Sequence, residues 1–403
     1  MTSLKTILST FLLLTVLLAN AQNRQLADTM PIIAYWGVPE TATNEEHFRL
    51  FSECGFTVSL YPYSSLDRLL KACRLARQYG VTILGSCPEI KNTPNKAASI
   101  LHKESGFLGY LLIDEPSVQQ IEEQQAIINK LKSADTTHLF YINLFPFTDP
   151  DKILASTKTD YPHYLKKAAA TSCQQLSFDH YPITTKGISA MWYYNLEMVR
   201  QESLTAGKPF WGFVLSVPHD VPFTPNTYYP TPTLASLRLQ IYSNLVYGAQ
   251  AIQYFTYWTP DGSDSFHFHD APINQAGQKT KTYSLVQQMN RELKSVSKLF
   301  YGARVTDVHH LVNIPNGTTR QSTMPTNLRS LKIVGRQGAV ISQFEKDEHK
   351  YLAIVNKSPE RPLTVRIRTR NATPRHISKT LQEESIKVSY NIEAGDILIF
   401  LLK

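Results

Sequence analysis

The groups in this chain that could do acid–base chemistry stand at the ends of short apolar runs. Asp114-Glu115-Pro116 closes the run from Phe107 to Ile113, Cys87-Pro88-Glu89 closes the run from Val81, and Asp179-His180-Tyr181 follows Leu176-Ser177-Phe178. Trp36, Tyr61, Asn143 and Tyr257-Trp258 end other such runs, with Glu40 beyond the first and Asp261 beyond the last. A carboxyl group protonates a leaving oxygen or activates a water, and aromatic faces stack on the C–H faces of pyranose rings. Acids and aromatics gathered in one cleft would therefore suit a sugar.

Such a cleft needs a scaffold that brings many strand ends together. Eight runs rich in β-branched and aromatic residues, at 31–37, 56–62, 81–87, 107–114, 139–145, 174–181, 209–215 and 250–257, alternate with helical patterns at 44–54, 65–79, 95–104, 118–134, 162–170, 190–206, 233–247 and 280–300. Several helices stop at a glycine, as at Gly207 and Gly248. No G-x-G-x-x-G follows a strand, so eight β/α units predict a (β/α)8 TIM barrel rather than a doubly wound sheet. The active site of such a barrel lies at the C-terminal ends of its strands, where the acids and aromatics stand. After Phe300 the chain turns to period-two alternation, as in Leu331-Lys332-Ile333-Val334 and Leu363-Thr364-Val365-Arg366-Ile367. This predicts a small C-terminal all-β sandwich, with 307–329 as a linker or first loop. The expected division is a signal peptide at 1–21, the barrel at 22–305 and the sandwich at 306–403.

The signal peptide follows from Lys5, an apolar run from Ile7 to Leu18, and the A-x-A site Ala19-Asn20-Ala21. That run is shorter than the roughly 20 residues of a membrane span, and no later segment is long enough, so an exported protein without an integral membrane segment is expected, periplasmic or extracellular. Lys and Arg number 41 against 33 Asp and Glu, a net +8, but the cations are scattered. They read as a solvated surface, not a nucleic-acid face. Cys54, Cys73, Cys87 and Cys173 lack metal-site or redox spacing and fit buried small side chains, with a disulfide left open.

The segment Gly109-Tyr110-Leu111-Leu112-Ile113-Asp114-Glu115-Pro116 resembles the fourth strand of the (β/α)8-barrel glycoside hydrolase clan that includes β-galactosidases and cellulases. There an Asn-Glu-Pro ends the strand and its Glu is the general acid/base. The resemblance implies that role for Glu115, with Asp114 in place of the Asn. It also takes in Ser177 to Pro182 on strand six and the aromatic end of strand eight at Trp258. Retaining members carry a nucleophilic Glu at the end of strand seven, whereas this chain reads Leu215-Ser216-Val217-Pro218, with no acid until Asp220.

Glu115 as acid and Asp179 as base for a water give an inverting alternative, because strands four and six lie two spacings, roughly 9 to 10 Å, apart. Asp114, Trp36, Tyr61, Glu89, Asn143, His180, Tyr181 and Trp258 are the expected sugar contacts. Asp114 would face away if Glu115 faced in, unless the strand end is bulged. No redox cofactor and no metal enter this reading. Two rivals remain: a carbohydrate-binding barrel that has lost the strand-seven nucleophile, and a metal-assisted hydrolase using His180 or His219.

Overall fold

The computed structural model describes residues 29–221, 224–263, 266–321, 324–325, 327–370 and 374–402; the expected signal segment lies outside them. Eight parallel strands close into a barrel: β1 Ile32–Tyr35, β2 Val58–Pro62, β3 Thr82–Ser86, β4 Phe107–Asp114, β5 Leu139–Leu144, β6 Leu176–Phe178, β7 Phe210–Leu215 and β8 Ala251–Phe255, with β8 hydrogen-bonded back onto β1. The helices are α1 Glu45–Glu53, α2 Leu66–Gln78, α3 Pro94–Leu101, α4 Val118–Lys132, α5 Tyr161–Ala169, α6 Trp192–Ala206, α7 Leu234–Tyr247 and α8 Lys281–Phe300. Each expected strand and helix is present.

Local chemistry sets the ends. Ser117 and Gln120 form a reciprocal cap at the start of α4, satisfying two backbone N–H groups that the helix cannot. Gly207 and Gly248 stop α6 and α7 at φ of 63° and 104°, a conformation that costs a side chain dearly. Two short helices, Pro88–Asn92 and Pro150–Thr157, were not expected. Each opens on a proline, which suits the first turn of a helix but reads in sequence as a loop.

The strands are buried on both faces. Ile33, Val58, Leu84, Leu108, Leu111, Trp211 and Phe213 fill the barrel, while a larger apolar layer lies between strands and helices.

Beyond the barrel a six-stranded and a three-stranded antiparallel sheet face each other. The first carries β9 Arg304–Leu311, β11 Ala339–Lys346, β12 His349–Asn356, β14 Arg375–Ile377, β15 Glu383–Ser385 and β17 Ile397–Leu401; the second carries β10 Leu328–Val334, β13 Leu363–Thr369 and β16 Ser389–Ile392. Ile341, Leu352, Ile354 and Phe400 point between the sheets, whereas Val340, Phe344, Ala353 and Val355 join the barrel's outer core. The larger sheet is thus apolar on both faces. Helix α7, buried from Leu239 to Tyr247, is sandwiched between barrel and sheet, which explains why its sequence has no polar stripe. Arg238 and Lys379 pair with both Glu292 and Asp396 across this seam.

The expected first loop at 307–329 is corrected at its start, because β9 runs through Leu311. A register shift between Val305 and Asp307 breaks its period-two pattern and hides the strand. All four cysteines are free and buried.

Candidate active site

Strand β4 is irregular twice: its register slips against β3 around Leu108 and against β5 between Leu111 and Ile113. The second slip changes the alternation, so Leu111 points into the barrel and Asp114 does too. Glu115 then takes φ of 46°, a left-handed backbone sparsely populated by non-glycine residues, and is held by its N–H on the Asn143 carbonyl at 2.9 Å. The bulge and this turn let two successive carboxylates line the same cleft. Asp179, just past β6, lines it as well.

Asn143 ties these acids together from beneath. Its Oδ1 accepts from the Ser177 hydroxyl at 2.9 Å, which turns its Nδ2 toward the carboxylates, donating to Asp114 at 3.0 Å and Asp179 at 2.9 Å. Ser177 accepts from Gln253 at 2.8 Å, and Gln253 accepts from the Tyr141 hydroxyl at 2.7 Å, so a buried polar ladder rises through the barrel to the acids. Tyr35 donates to the other oxygen of Asp114 at 2.9 Å.

Burial pushes the Glu115 carboxyl up to about 9, with Asp179 and Asp114 adding like-charge repulsion. Asp179 is raised to about 7 by burial and by Asp114, against the pull of hydrogen bonds from Asn143 and Tyr181. Asp114 is also raised by the surrounding protein, although it touches solvent in the open cleft and is eased down by Asn143 and Tyr35. Glu115 therefore keeps its proton longest, and Asp179 yields one first of the two. Carboxyl groups separated in this way can act as an acid and a base.

The same cleft carries an aromatic wall, joined to the acids where Tyr181 bonds Asp179. Tyr181, Tyr229, Phe255, Phe266 and Phe268 line the cleft and are half-buried, with Tyr181 stacked on Phe255 at 5.6 Å and Phe266 on Phe268 at 5.6 Å. His219 sits within it, 4.7 Å from Tyr229 and 4.8 Å from Phe268. Its Nδ1 donates to the Val217 carbonyl at 3.0 Å, and burial lowers its proton affinity, so a neutral ring has its lone pair on Nε2. His180 has the reverse polarity. Asn195 accepts from the Phe147 N–H at 2.7 Å and the Tyr161 hydroxyl at 3.1 Å, so its Nδ2 donates to His180 Nδ1 at 3.1 Å. Burial pulls His180 down to about 4, and because Nδ1 accepts from Asn195 the proton of the neutral ring sits on Nε2, a buried atom without a hydrogen-bond partner among the described residues. The cleft, of about 620 Å³, thus has an imidazole acceptor in His219, and both rings are uncharged at neutral pH.

The structure brings together Asp114, Glu115, Asp179, His180 and Tyr181 on the cleft, with Asn143 directly below. Four expected contacts go elsewhere. Glu89, in the first turn of the Pro88–Asn92 helix, swings away and accepts the Leu66 N–H at 3.1 Å, capping α2. Trp258 is buried edge-on against His47 at 5.0 Å. Trp36 and Tyr61 pair with each other at 5.3 Å and do not line the cleft. Glu40 accepts from Ser64 and is likewise occupied. Phe255, Phe266 and Phe268 were missed: β8 ends at Phe255, two residues before the expected end, and the other two lie on a loop with no period. Inward alternation of Gln253 and Phe255 was the one usable signal.

At the end of β7, Ser216 is fully buried and donates to the Thr256 carbonyl at 2.6 Å. Asp220 is bonded to exposed His267. Among the described residues, the one His/Asp group whose ligand atoms converge is His102, Asp135 and His138, near the N-terminal end of the barrel.

Residues 118–296 match the glycoside hydrolase family 42 model, described as beta-galactosidase; the match begins just past Glu115. No curated protein matches the chain. Among similar solved structures, beta-galactosidase from Bacillus circulans sp. alkalophilus has TM-score 0.63 at 9% identity, covering 93% of this chain and 99% of that one. A catalytic mutant of a GH42 beta-galactosidase from G. stearothermophilus has TM-score 0.59 at 8% identity, covering 92% and 98%. Beta-galactosidase from the psychrophilic Marinomonas ef1 has TM-score 0.51 at 10% identity over 67% of this chain, which spans 60% of that protein's length. At such identities these three likenesses concern the fold. By the matched segment and by architecture, the chain is a (β/α)8 barrel with a C-terminal sandwich that is similar to the glycoside hydrolase clan of β-galactosidases and cellulases.

Proposed function

We propose that the protein is an exported glycosidase that cleaves a β-galactoside or a related oligosaccharide or polysaccharide by direct displacement. Glu115 gives its proton to the glycosidic oxygen while a water, losing its proton to Asp179, attacks the anomeric carbon from the opposite face. The bond to the leaving sugar breaks as the new C–O bond forms, and the product anomer is inverted. Tyr181, Tyr229 and Phe268 offer ring faces to the sugar, and neutral His219 an acceptor for one of its hydroxyls. The observation that carries this reading is one cleft lined by Glu115, Asp179 and half-buried aromatic rings, in which burial raises the Glu115 carboxyl above that of Asp179. Export rests on the leader at 1–21.

One observation favours a second reading, a carbohydrate-binding barrel without turnover: the buried Ser216 where retaining relatives hold a nucleophile. Following the first product anomer by proton NMR, with Glu115→Gln in parallel, decides between them. Inverted product that disappears in the variant supports the displacement. Retained product would contradict the Asp179 role, and equal sugar binding by both proteins without product would leave the binder.

A further inference from the structure

A second cavity, of about 710 Å³, lies on the far side of the hairpin that follows β6. Thr184 and Ser189 line both it and the acid-bearing cleft, so the hairpin forms a shared wall. Its opposite wall comes from the sandwich: Gln337 precedes β11, and Glu360 lies between β12 and β13.

From this arrangement we infer that the cavity is a distal subsite for a neutral oligosaccharide, extending the cleft onto the C-terminal sandwich. The inference rests on the glycosidase reading for which end of the glycan is cut, and on the cavity alone for where the rest lies.

The lining chemistry selects the ligand class. Hydroxyls of Thr184 and Ser189 and the Gln337 amide alternate with the apolar flanks of Ile183, Ile188 and prolines, a mixture that fits sugar hydroxyls and C–H faces. Ile188, 39% exposed, is one of the few large apolar side chains left open on the surface. The charges do not suit a sulfated or uronic chain. Lys357 lies in the wall, but its three N–H bonds are spent on the Val312 carbonyl at 3.2 Å, the Asn313 carbonyl at 2.6 Å and His310 Nδ1 at 3.3 Å. Glu360, the other charged lining residue, would repel an anion. A polyanion needs cations with donors to spare.

The test uses the full mature protein with aryl glycosides and neutral oligosaccharides of two to six units in the galacto, gluco, xylo and manno series. The double variant Gln337→Ala/Glu360→Ala touches neither the acids nor the aromatic wall. On the active series, wild-type kcat/KM should rise with chain length, and the variant should lose about tenfold on the longest substrates through KM, with aryl glycosides unchanged. A variant loss equal at every length, or no wild-type dependence beyond two units, would overturn the subsite. If nothing is hydrolysed, the glycosidase reading fails alone, and calorimetric titration with the same series decides the subsite. Affinity that grows with length and falls in the variant supports it. Affinity flat with length, or no binding of any series, overturns it.

Discussion

The two ends of the barrel each enclose a carboxylate, and protein surroundings treat them in opposite ways. Near the N-terminal end Asp135 is fully buried, yet it accepts from Tyr110 at 2.6 Å, His138 Nδ1 at 2.7 Å, Thr137 N–H and Oγ1 at 3.0 Å each, and the His138 N–H at 3.2 Å. Burial opposes its ionisation, but the hydrogen bonds from His138 and Tyr110 outweigh burial and hold the carboxyl well below the usual range. At the C-terminal end burial raises the Glu115 carboxyl, and its neighbours, Asp179 and Asp114, push it further up. An acid surrounded by donors is a staple, and one surrounded by acids is poised to exchange a proton.

Breaking each end should expose that difference. The largest effect is expected from Glu115→Gln: a loss of at least about a thousandfold in kcat on substrates with poor leaving groups, read by released sugar, with folding intact. Asp135→Asn should do the reverse, costing about 2–4 kcal/mol in denaturant unfolding while leaving kcat per folded molecule unchanged.

The pH dependence of those variants sharpens the contrast. Glu115 is raised from its ordinary 4.5 to about 9, so the folded chain holds a proton that the unfolded chain has released, and that contribution to stability fades as pH climbs toward 9. Glu115→Gln should therefore raise Tm by a margin that grows from pH 5 to 9. Asp135 is depressed, so its contribution is present above its ordinary 3.8 and is lost as pH falls further; the Asp135→Asn penalty should shrink in acid.

Asn143→Ala removes the donor shared by Asp114 and Asp179. Both carboxyls should rise further, moving the acid limb of the pH–rate profile upward and lowering kcat about tenfold at neutral pH. Smallest of all, Phe268→Ala on the aromatic wall should raise KM severalfold with kcat nearly unchanged, since one ring contact is worth about 0.5–1.5 kcal/mol.

How much of this was legible depends on what kind of regularity carried it. Eight strands and eight helices were readable because each repeats at its own period and each is bounded by turn residues. Glu115 and Asp179 could be found from their place at the ends of β4 and β6. What alternation could not say is that Asp114 and Glu115 share a face, because that depends on a slip in register between Leu111 and Ile113 that no residue type announces. Glu89 and Trp258 stand at strand ends in sequence yet turn away, because the segment after each strand sets the side chain's direction. The aromatic wall went unseen for the converse reason: Phe266 and Phe268 reach the cleft from a loop whose path only tertiary packing determines.

The central claim is that the acids above the barrel trade protons near neutral pH. It is tested most directly by titrating the carboxyl carbons of 13C-glutamate-labelled protein by NMR, with Glu115→Gln to assign the signal. The Glu115 resonance should move with a midpoint near 9. A midpoint near its ordinary 4.5 would contradict the account and remove the proton on which the proposed cleavage depends.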